Sequence, residues 1–322
     1  SKNEKRENID LHNEMYERVA RGVSEIDEYY DQDPEESFEK FFKVMSRLEF
    51  LPNSPTLFNA NAPLGQLSAC FVLPVEDSLE SIFDSVKNTA LIEQTGGGVG
   101  FDFSKLRPEG DVVKSTQGVA SGPVSFMKVF DTVTEVIKAG GKRRGAMMGI
   151  LRVDHPDIEK FVEAKSEEGP LSNFNISVAV TDDFMNAVEK DENYDLINPR
   201  TGSKDRGISA RKIWKKISDN AWKTGDPGVI FLNEINRHNP TPDVGKIGAT
   251  NPCVTGDTLI ETDQGLQTAE ELWRKDNKLK VVVDGRFQEN PKLKKASKVY
   301  KTGYKPVYKL KTEEGYEVTL TS

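Results

Sequence analysis

The chain has two cysteines, Cys70 and Cys253. Two thiols are too few for a secreted disulfide scaffold and suit reduced thiols in a cytosolic protein. Two glycine runs could bring backbone amides to a phosphate. Gly96-Gly97-Gly98-Val99-Gly100 lacks a following Gly-Lys-Ser/Thr and succeeds a helical rather than a strand pattern, which favours a structural turn. Gly140-Gly141-Lys142-Arg143-Arg144-Gly145 sets cations beside glycines, a combination that neutralises and grips an anion. A solvated basic turn explains those residues equally well.

The elements that must position these groups change character along the chain. Met15, Val19, Val23 and Ile26 share one helical face in a polar stretch, and Phe38, Phe41, Phe42, Val44 and Met45 continue a second helix. Behind the cap residue Ser78, a stripe of Leu79, Ile82, Phe83, Val86 and Ala90 predicts a helix that stops at the first glycine run. Residues 99–103 alternate as a strand, and Phe126, Phe130, Val133 and Ile137 mark another helix. Strand-like runs follow at 149–153, 176–180 and 229–232, separated by helical stretches. Strands alternating with helices predict an α/β fold with a largely parallel sheet.

After Cys253 the pattern becomes short strands (258–261, 280–283, 298–300, 307–311 and 316–320) between turn residues, with one small helix over 268–273. Charge changes sign at the same place. Residues 253–322 hold 13 Lys and Arg against 11 Asp and Glu, a balance of +2, and the remainder carries −10 of the net −8. The acidic body argues against a protein that coats nucleic acid. No apolar run is long enough to span a bilayer, and the expectation is a cytoplasmic protein with no membrane partner.

The motifs fall in a recognisable order. Leu51-Pro52-Asn53-Ser54-Pro55-Thr56-Leu57-Phe58-Asn59 is followed by Leu67-Ser68-Ala69-Cys70-Phe71-Val72-Leu73-Pro74, then Asp77-Ser78 and the first glycine run. The Lys-Arg-Arg loop, Asp154-His155-Pro156-Asp157, Asn236-Arg237-His238-Asn239-Pro240 and Ala249-Thr250-Asn251-Pro252-Cys253 complete the series. Over about residues 10–252 this resembles the catalytic chain of ribonucleotide reductases, particularly the adenosylcobalamin-dependent class. A separate metal-radical subunit is the alternative radical source. The resemblance implies an N-terminal helical region (1–50) and the first half of a ten-stranded α/β barrel (51–252). It implies that Cys70 is one of two reducing thiols, whose transient disulfide a thioredoxin-like reductant would reopen. Asn251 would hydrogen-bond the substrate ribose, and Ser54, Thr56 and Ala69 would line the ribonucleotide site. Asp77, Ser78 and Leu79 would begin the helix that holds a dNTP or ATP effector. Lys114, and less directly Ser121, would meet its phosphates. Lys142 and Arg143 would lie in the loop that carries effector identity to the substrate site. Relatives dimerise through these helices, so a homodimer is expected.

That family pattern should continue Asn-Pro-Cys-Gly-Glu, but here Cys253 is followed by Val254-Thr255-Gly256-Asp257-Thr258. The departure resembles the start of an intein, with Gly265-Leu266 and Ala269-Glu270-Glu271-Leu272 continuing its first block. Residues 253–322 are therefore expected to form a small all-β, Hint-like intein fragment. Its Cys253 thiol would attack the Pro252 carbonyl, and Thr321 would open the Thr-x-x-His block that assists. On this reading the radical cysteine, the second redox cysteine and the C-terminal half of enzyme and intein belong to other sequence. The chain alone would then neither splice nor reduce nucleotides. The alternatives are a catalytically inactive nucleotide-binding remnant and a natural split-intein half that splices in trans.

Overall fold

The computed structural model describes residues 12–113, 117–137, 146–166 and 171–251. Beyond these it describes the backbone of strands at 259–262, 265–268, 280–282, 293–295, 307–311 and 317–321. The chain divides into two units, residues 1–71, 90–99 and 137–145 in one and 72–89, 100–136 and 146–322 in the other.

The first unit is built on α1 (His12–Ser24), α2 (Pro34–Ser46) and α3 (Ser54–Asn59). Tyr16, Val19 and Ala20 of α1 pack with Met45 and Ala60, and Phe38, Phe42 and Leu57 close over them. Asp33 caps α2 by accepting the Glu35 amide at 3.0 Å, with Pro34 in the first turn. The sequence pattern places Ile26 on the buried face, but α1 gives way at Glu25 to a 3-10 turn ending at Tyr30, and Ile26 is 53% exposed. Three residues per turn instead of 3.6 shifts the phase of the stripe and rotates that side chain outward.

Three elements belong partly to each unit: β1 (Cys70–Leu73), α4 (Leu79–Gln94) and β2 (Gly98–Asp102). The second unit continues with a short antiparallel ribbon, β3 (Val112–Val113) and β4 (Gly118–Val119), then α5 (Pro123–Val136). There follow β5 (Met147–Arg152), α6 (Ile158–Val162), β6 (Phe174–Val180), α7 (Asp182–Lys190) and a hairpin of β7 (Asn193–Ile197) with β8 (Lys204–Ser209). Then come α8 (Ala210–Thr224), β9 (Gly228–Phe231) and α9 (Leu232–Arg237). The main sheet has the order β1-β2-β5-β6-β9. β5 and β6 run parallel with Met147 opposite Phe174, and β6 and β9 run parallel with Ser177 opposite Gly228. β5 and β6 are buried at nearly every position, as strands of a parallel sheet covered on both faces must be. Phe101, Phe103, Phe130 and Phe174 form the aromatic centre, with Phe101 and Phe130 ring centroids 4.7 Å apart. The α/β expectation with a helical start and a parallel sheet holds.

Two details differ from the sequence pattern. Leu79 and Phe83, assigned to the buried stripe of α4, are 63% and 52% exposed, and Ile82 and Val86 carry the burial. The β7–β8 hairpin was not foreseen. Its turn at 198–203 holds Pro199 and Gly202, but the arms (NYDLI and KDRGIS) lack the alternating apolar signal that marks a strand.

The described elements after residue 258 are all strands. β10 (Leu259–Thr262), β11 (Gly265–Thr268), β12 (Lys280–Val282) and β13 (Leu293–Lys295) form an antiparallel sheet of order β11-β10-β12-β13. β14 (Val307–Lys311) pairs antiparallel with β15 (Glu317–Thr321). The expected strands at 258–261, 280–283, 307–311 and 316–320 coincide with four of these to within a residue. The expected strand at 298–300 lies outside the described residues. So does the expected helix at 268–273, apart from Thr268, which ends β11.

Candidate functional site

In the first unit, Asn53 accepts the Thr56 amide at 2.9 Å and so caps α3. The Thr56 hydroxyl donates to the Leu67 carbonyl at 2.8 Å, and Asn59 Nδ2 donates to the Gln66 carbonyl at 2.8 Å. These two bonds stitch the helix that begins at Ser54 onto the segment running to Ala69 and Cys70. Thr56 is buried, Ser54 and Ala69 are half-buried and Cys70 is exposed at the head of β1. The Ala69 carbonyl accepts the Gly98 amide at 2.8 Å. The first glycine run is a packing turn: Gly96 has φ +91°, and a Cβ on Gly97 would sit 2.7 Å from Ile92 Cγ2 and 2.9 Å from the Phe71 ring.

In the second unit, Asp77 lies just beyond β1, where its carboxylate is already engaged. Arg107 Nε donates to Asp77 Oδ2 at 2.8 Å, and the Arg107 backbone amide donates to Oδ1 at 3.1 Å. Arg107 Nη1 donates onward to the Val112 carbonyl at 3.1 Å. The Ser78 hydroxyl accepts the Ser81 amide at 3.2 Å, capping α4, and the Ser81 hydroxyl accepts the Glu76 amide at 3.0 Å, tying the preceding turn to the helix. Ser121 is exposed beside Gly122, whose φ is +74°. The sequence reading missed Arg107, because thirty residues separate it from Asp77 and no local motif joins them. The small cavity on this helix, about 310 Å³, is lined by Ser78, Ser81 and Ser85 and edged by Glu80 and Asp84.

Asn251 is half-buried, and the backbone leading to it is pressed onto β2. A Cβ on Gly100 would fall 2.1 Å from the Thr250 carbonyl oxygen, so only glycine admits this segment. A larger cavity of about 880 Å³ opens at the carboxyl ends of the parallel strands, among Asp102, Lys105, Arg152, Thr181, Asn236 and Lys246. Burial holds the Asp102 carboxyl above its ordinary pKa against the opposing pull of the Ser104 hydrogen bond and of Arg152. Leu73, Pro74, Asn236, Arg237 and Ala249 of the sequence motifs line it, but among the described residues none of those given a role from sequence does. Lys114, Lys142, Arg143 and Cys253 lie outside the described residues, and Thr321 is described only as backbone in β15.

The profile described as "Ribonucleotide reductase, barrel domain" matches residues 68–256, and "Ribonucleotide reductase, all-alpha domain" matches residues 1–65. The chain belongs to the ribonucleotide reductase large-subunit family. The reductase of Thermoplasma acidophilum named "Vitamin B12-dependent ribonucleoside-diphosphate reductase" is 64% identical over 66% of this chain and 28% of its own length. A protein of the same name from Mycobacterium tuberculosis is 48% identical over 74% of this chain and 35% of its own length. The "Ribonucleoside-diphosphate reductase NrdEB subunit alpha" of Bacillus subtilis is 28% identical over 95% of this chain and 32% of its own. The chain thus spans roughly a third of the length of these relatives. At 95% coverage about 16 residues stay unmatched, so the Bacillus alignment must run through most of 253–322.

Proposed function

We propose that the chain is the N-terminal part of a ribonucleoside-diphosphate reductase, which replaces the ribose 2′-hydroxyl by hydrogen. The barrel-domain match over residues 68–256 carries this reading. In the overall reaction two thiols become a disulfide and supply two electrons and two protons, and the 2′-oxygen leaves as water. Cys70 is proposed as one of those thiols. Its exposure at the head of β1 suits a group that must meet substrate and then an external, thioredoxin-like reductant. Asn251 is proposed to hydrogen-bond the ribose, and the close seat of Thr250 on Gly100 supports a fixed position for it. Ser54, Thr56 and Ala69 are proposed to line the substrate site, Thr56 chiefly by holding α3 to residue 67. Asp77, Ser78, Leu79 and Ser121, with Lys114, Lys142 and Arg143, are proposed to hold a dNTP effector and relay its identity. Exposed Leu79 and Phe83 on α4 support a surface covered by a second copy. Among the described residues no helix is long and apolar enough to cross a membrane.

Adenosylcobalamin is proposed as the radical source on the names of the Thermoplasma and Mycobacterium relatives. Of the three histidines, His155 uses both ring nitrogens internally and His238 is tied to Glu234, while His12 is exposed at the start of α1. No step here runs through the cofactor. Residues 253–322 are proposed to be the N-terminal segment of an intein with Cys253 as nucleophile and Thr321 in its assisting block. The antiparallel strands there and the departure from Cys-Gly-Glu after Pro252 support this.

The test joins this chain's residues 1–252 to all of the Thermoplasma relative that follows the matched stretch and measures dCDP formed from CDP with adenosylcobalamin and dithiothreitol. Turnover that Cys70→Ser abolishes is expected. Turnover unchanged by Cys70→Ser would overturn the assignment.

A further inference from the structure

His155 is 2% exposed, and both of its ring nitrogens are committed. Nε2 lies 2.8 Å from the Leu106 carbonyl, and Nδ1 lies 3.0 Å from the Asp157 amide. A carbonyl only accepts and an amide N–H only donates. The ring is therefore the neutral tautomer with its proton on Nε2. Arg107, the next residue after Leu106, grips Asp77 through its backbone amide and Nε. Asp157, fixed by His155, accepts the Glu109 amide at 2.9 Å, and Gly122 leaves no room for a Cβ, which would stand 2.6 Å from Asp157 Oδ2. The turn 106–109 is thus fastened to His155, Asp77 and Asp157 at three of its four residues.

We propose that His155 is a positioning residue for the effector site, setting the 106–109 turn so that Arg107 holds Asp77 ready for the nucleotide. This rests on the reading of Asp77 as an effector-binding carboxylate. The charged groups around the ring are Asp154 and Asp157 of its own turn, Asp102 of β2, Glu109 paired with Lys160 of α6, and Arg206 of β8 on the Pro156 carbonyl. Burial lowers the imidazole pKa and outweighs these acids. Protonation would put a hydrogen on Nδ1 facing the Asp157 N–H, two donors head to head, and that bond would break.

The test is dTTP binding to the full chain, measured by titration calorimetry from pH 8 to pH 5.5, for the wild type, Asp77→Ala, His155→Phe and His155→Gln. At pH 8, Asp77→Ala is expected to lose at least about tenfold in affinity and His155→Phe about tenfold, the scale of one charge-assisted hydrogen bond set loose. His155→Gln, which can donate and accept but does not titrate, is expected to restore most of it. The terminal phosphate of dTTP titrates in the same window for every protein. The ratio of wild-type to His155→Gln affinity separates the two titrations; because burial holds the ring below its ordinary 6.5, the ratio should stay level down to that pH and fall only beneath it. Should His155→Phe not fold, the shorter His155→Asn takes its place in the same measurement at pH 8. His155→Phe or His155→Asn binding like wild type at pH 8 while Asp77→Ala does not overturns the role of His155 and leaves the effector site standing. Absence of dTTP binding, or equal binding by Asp77→Ala, overturns the effector reading and this inference with it.

Discussion

The two ends of β1 carry side chains that the chain treats in opposite ways. At its head Cys70 is exposed. Just past its end, Asp77 is 25% exposed and clamped by Arg107, whose own turn is pinned by His155 and Asp157. The difference suits the role proposed for each. A thiol that cycles through a disulfide must be reached from outside, and thiol–disulfide exchange is limited by access as much as by pKa. A carboxylate that recognises a ligand gains by being set beforehand, because ordering it at the moment of binding weakens the complex.

The largest effect should come from breaking the exposed end. In the joined enzyme, Cys70→Ser is expected to cut dCDP formation at least about a thousandfold, since a hydroxyl cannot form the disulfide that supplies the electrons. Its dTTP affinity should stay within about twofold of wild type. A parallel loss of both would mean that the two ends of β1 are not separable. At the clamped end, Arg107→Ala is expected to weaken dTTP binding by about 10- to 100-fold, the range for hydrogen bonds to a charged group. Calorimetry on the chain reads this directly, and unchanged affinity would show that Asp77 needs no clamp. Gly100→Ala acts at neither end. Forcing a methyl against the Thr250 carbonyl should cost about 1–3 kcal/mol of stability in urea unfolding. A neutral result there would mean that the segment carrying Asn251 can step aside.

Much of this contrast was legible in the sequence, and the reason it was not all legible is physical. The helices of 12–46 and the strands at 147–152, 174–180 and 228–231 carry strong periodic or continuous apolar patterns, and those elements are where the pattern placed them. The order of short motifs singled out Cys70 and Asp77 for the roles proposed above. What stayed hidden is the set of contacts that join residues distant in sequence. Arg107 reaches back thirty residues to Asp77, and His155 reaches across to Leu106. Neither side chain differs locally from an ordinary loop arginine or a turn histidine. Exposure on α4 was misjudged for a related reason: Leu79 and Phe83 satisfy the stripe, but periodicity cannot tell a face that meets the chain's own core from one that meets another surface.

The smallest predicted effect probes the clamped end without touching it. Asp111 stands beside Val112, whose carbonyl receives Arg107 Nη1. Arg200 Nη2 and Nε donate to the two Asp111 carboxylate oxygens at 2.7 and 2.9 Å, and Asn198 Nδ2 adds a bond of 3.0 Å. The Arg200 hydrogen bonds hold the Asp111 carboxyl well below the usual carboxylate range. A carboxyl whose folded pKa is depressed contributes stability that is fully present above its unfolded value, about 3.9, and drains away as pH falls from there toward the folded value. Wild type should therefore lose more stability than Asp111→Asn between about pH 5 and pH 3. Denaturant unfolding of the two proteins across that window checks it. Because the Arg200 side chain still meets solvent over 27% of its surface, added salt should shrink the difference in part. If Asp111→Asn instead follows wild type at every pH, then Arg200 and Asp111 hold the β3 end of the turn no better than water would. Arg107 would then owe its aim to His155 and Asp157.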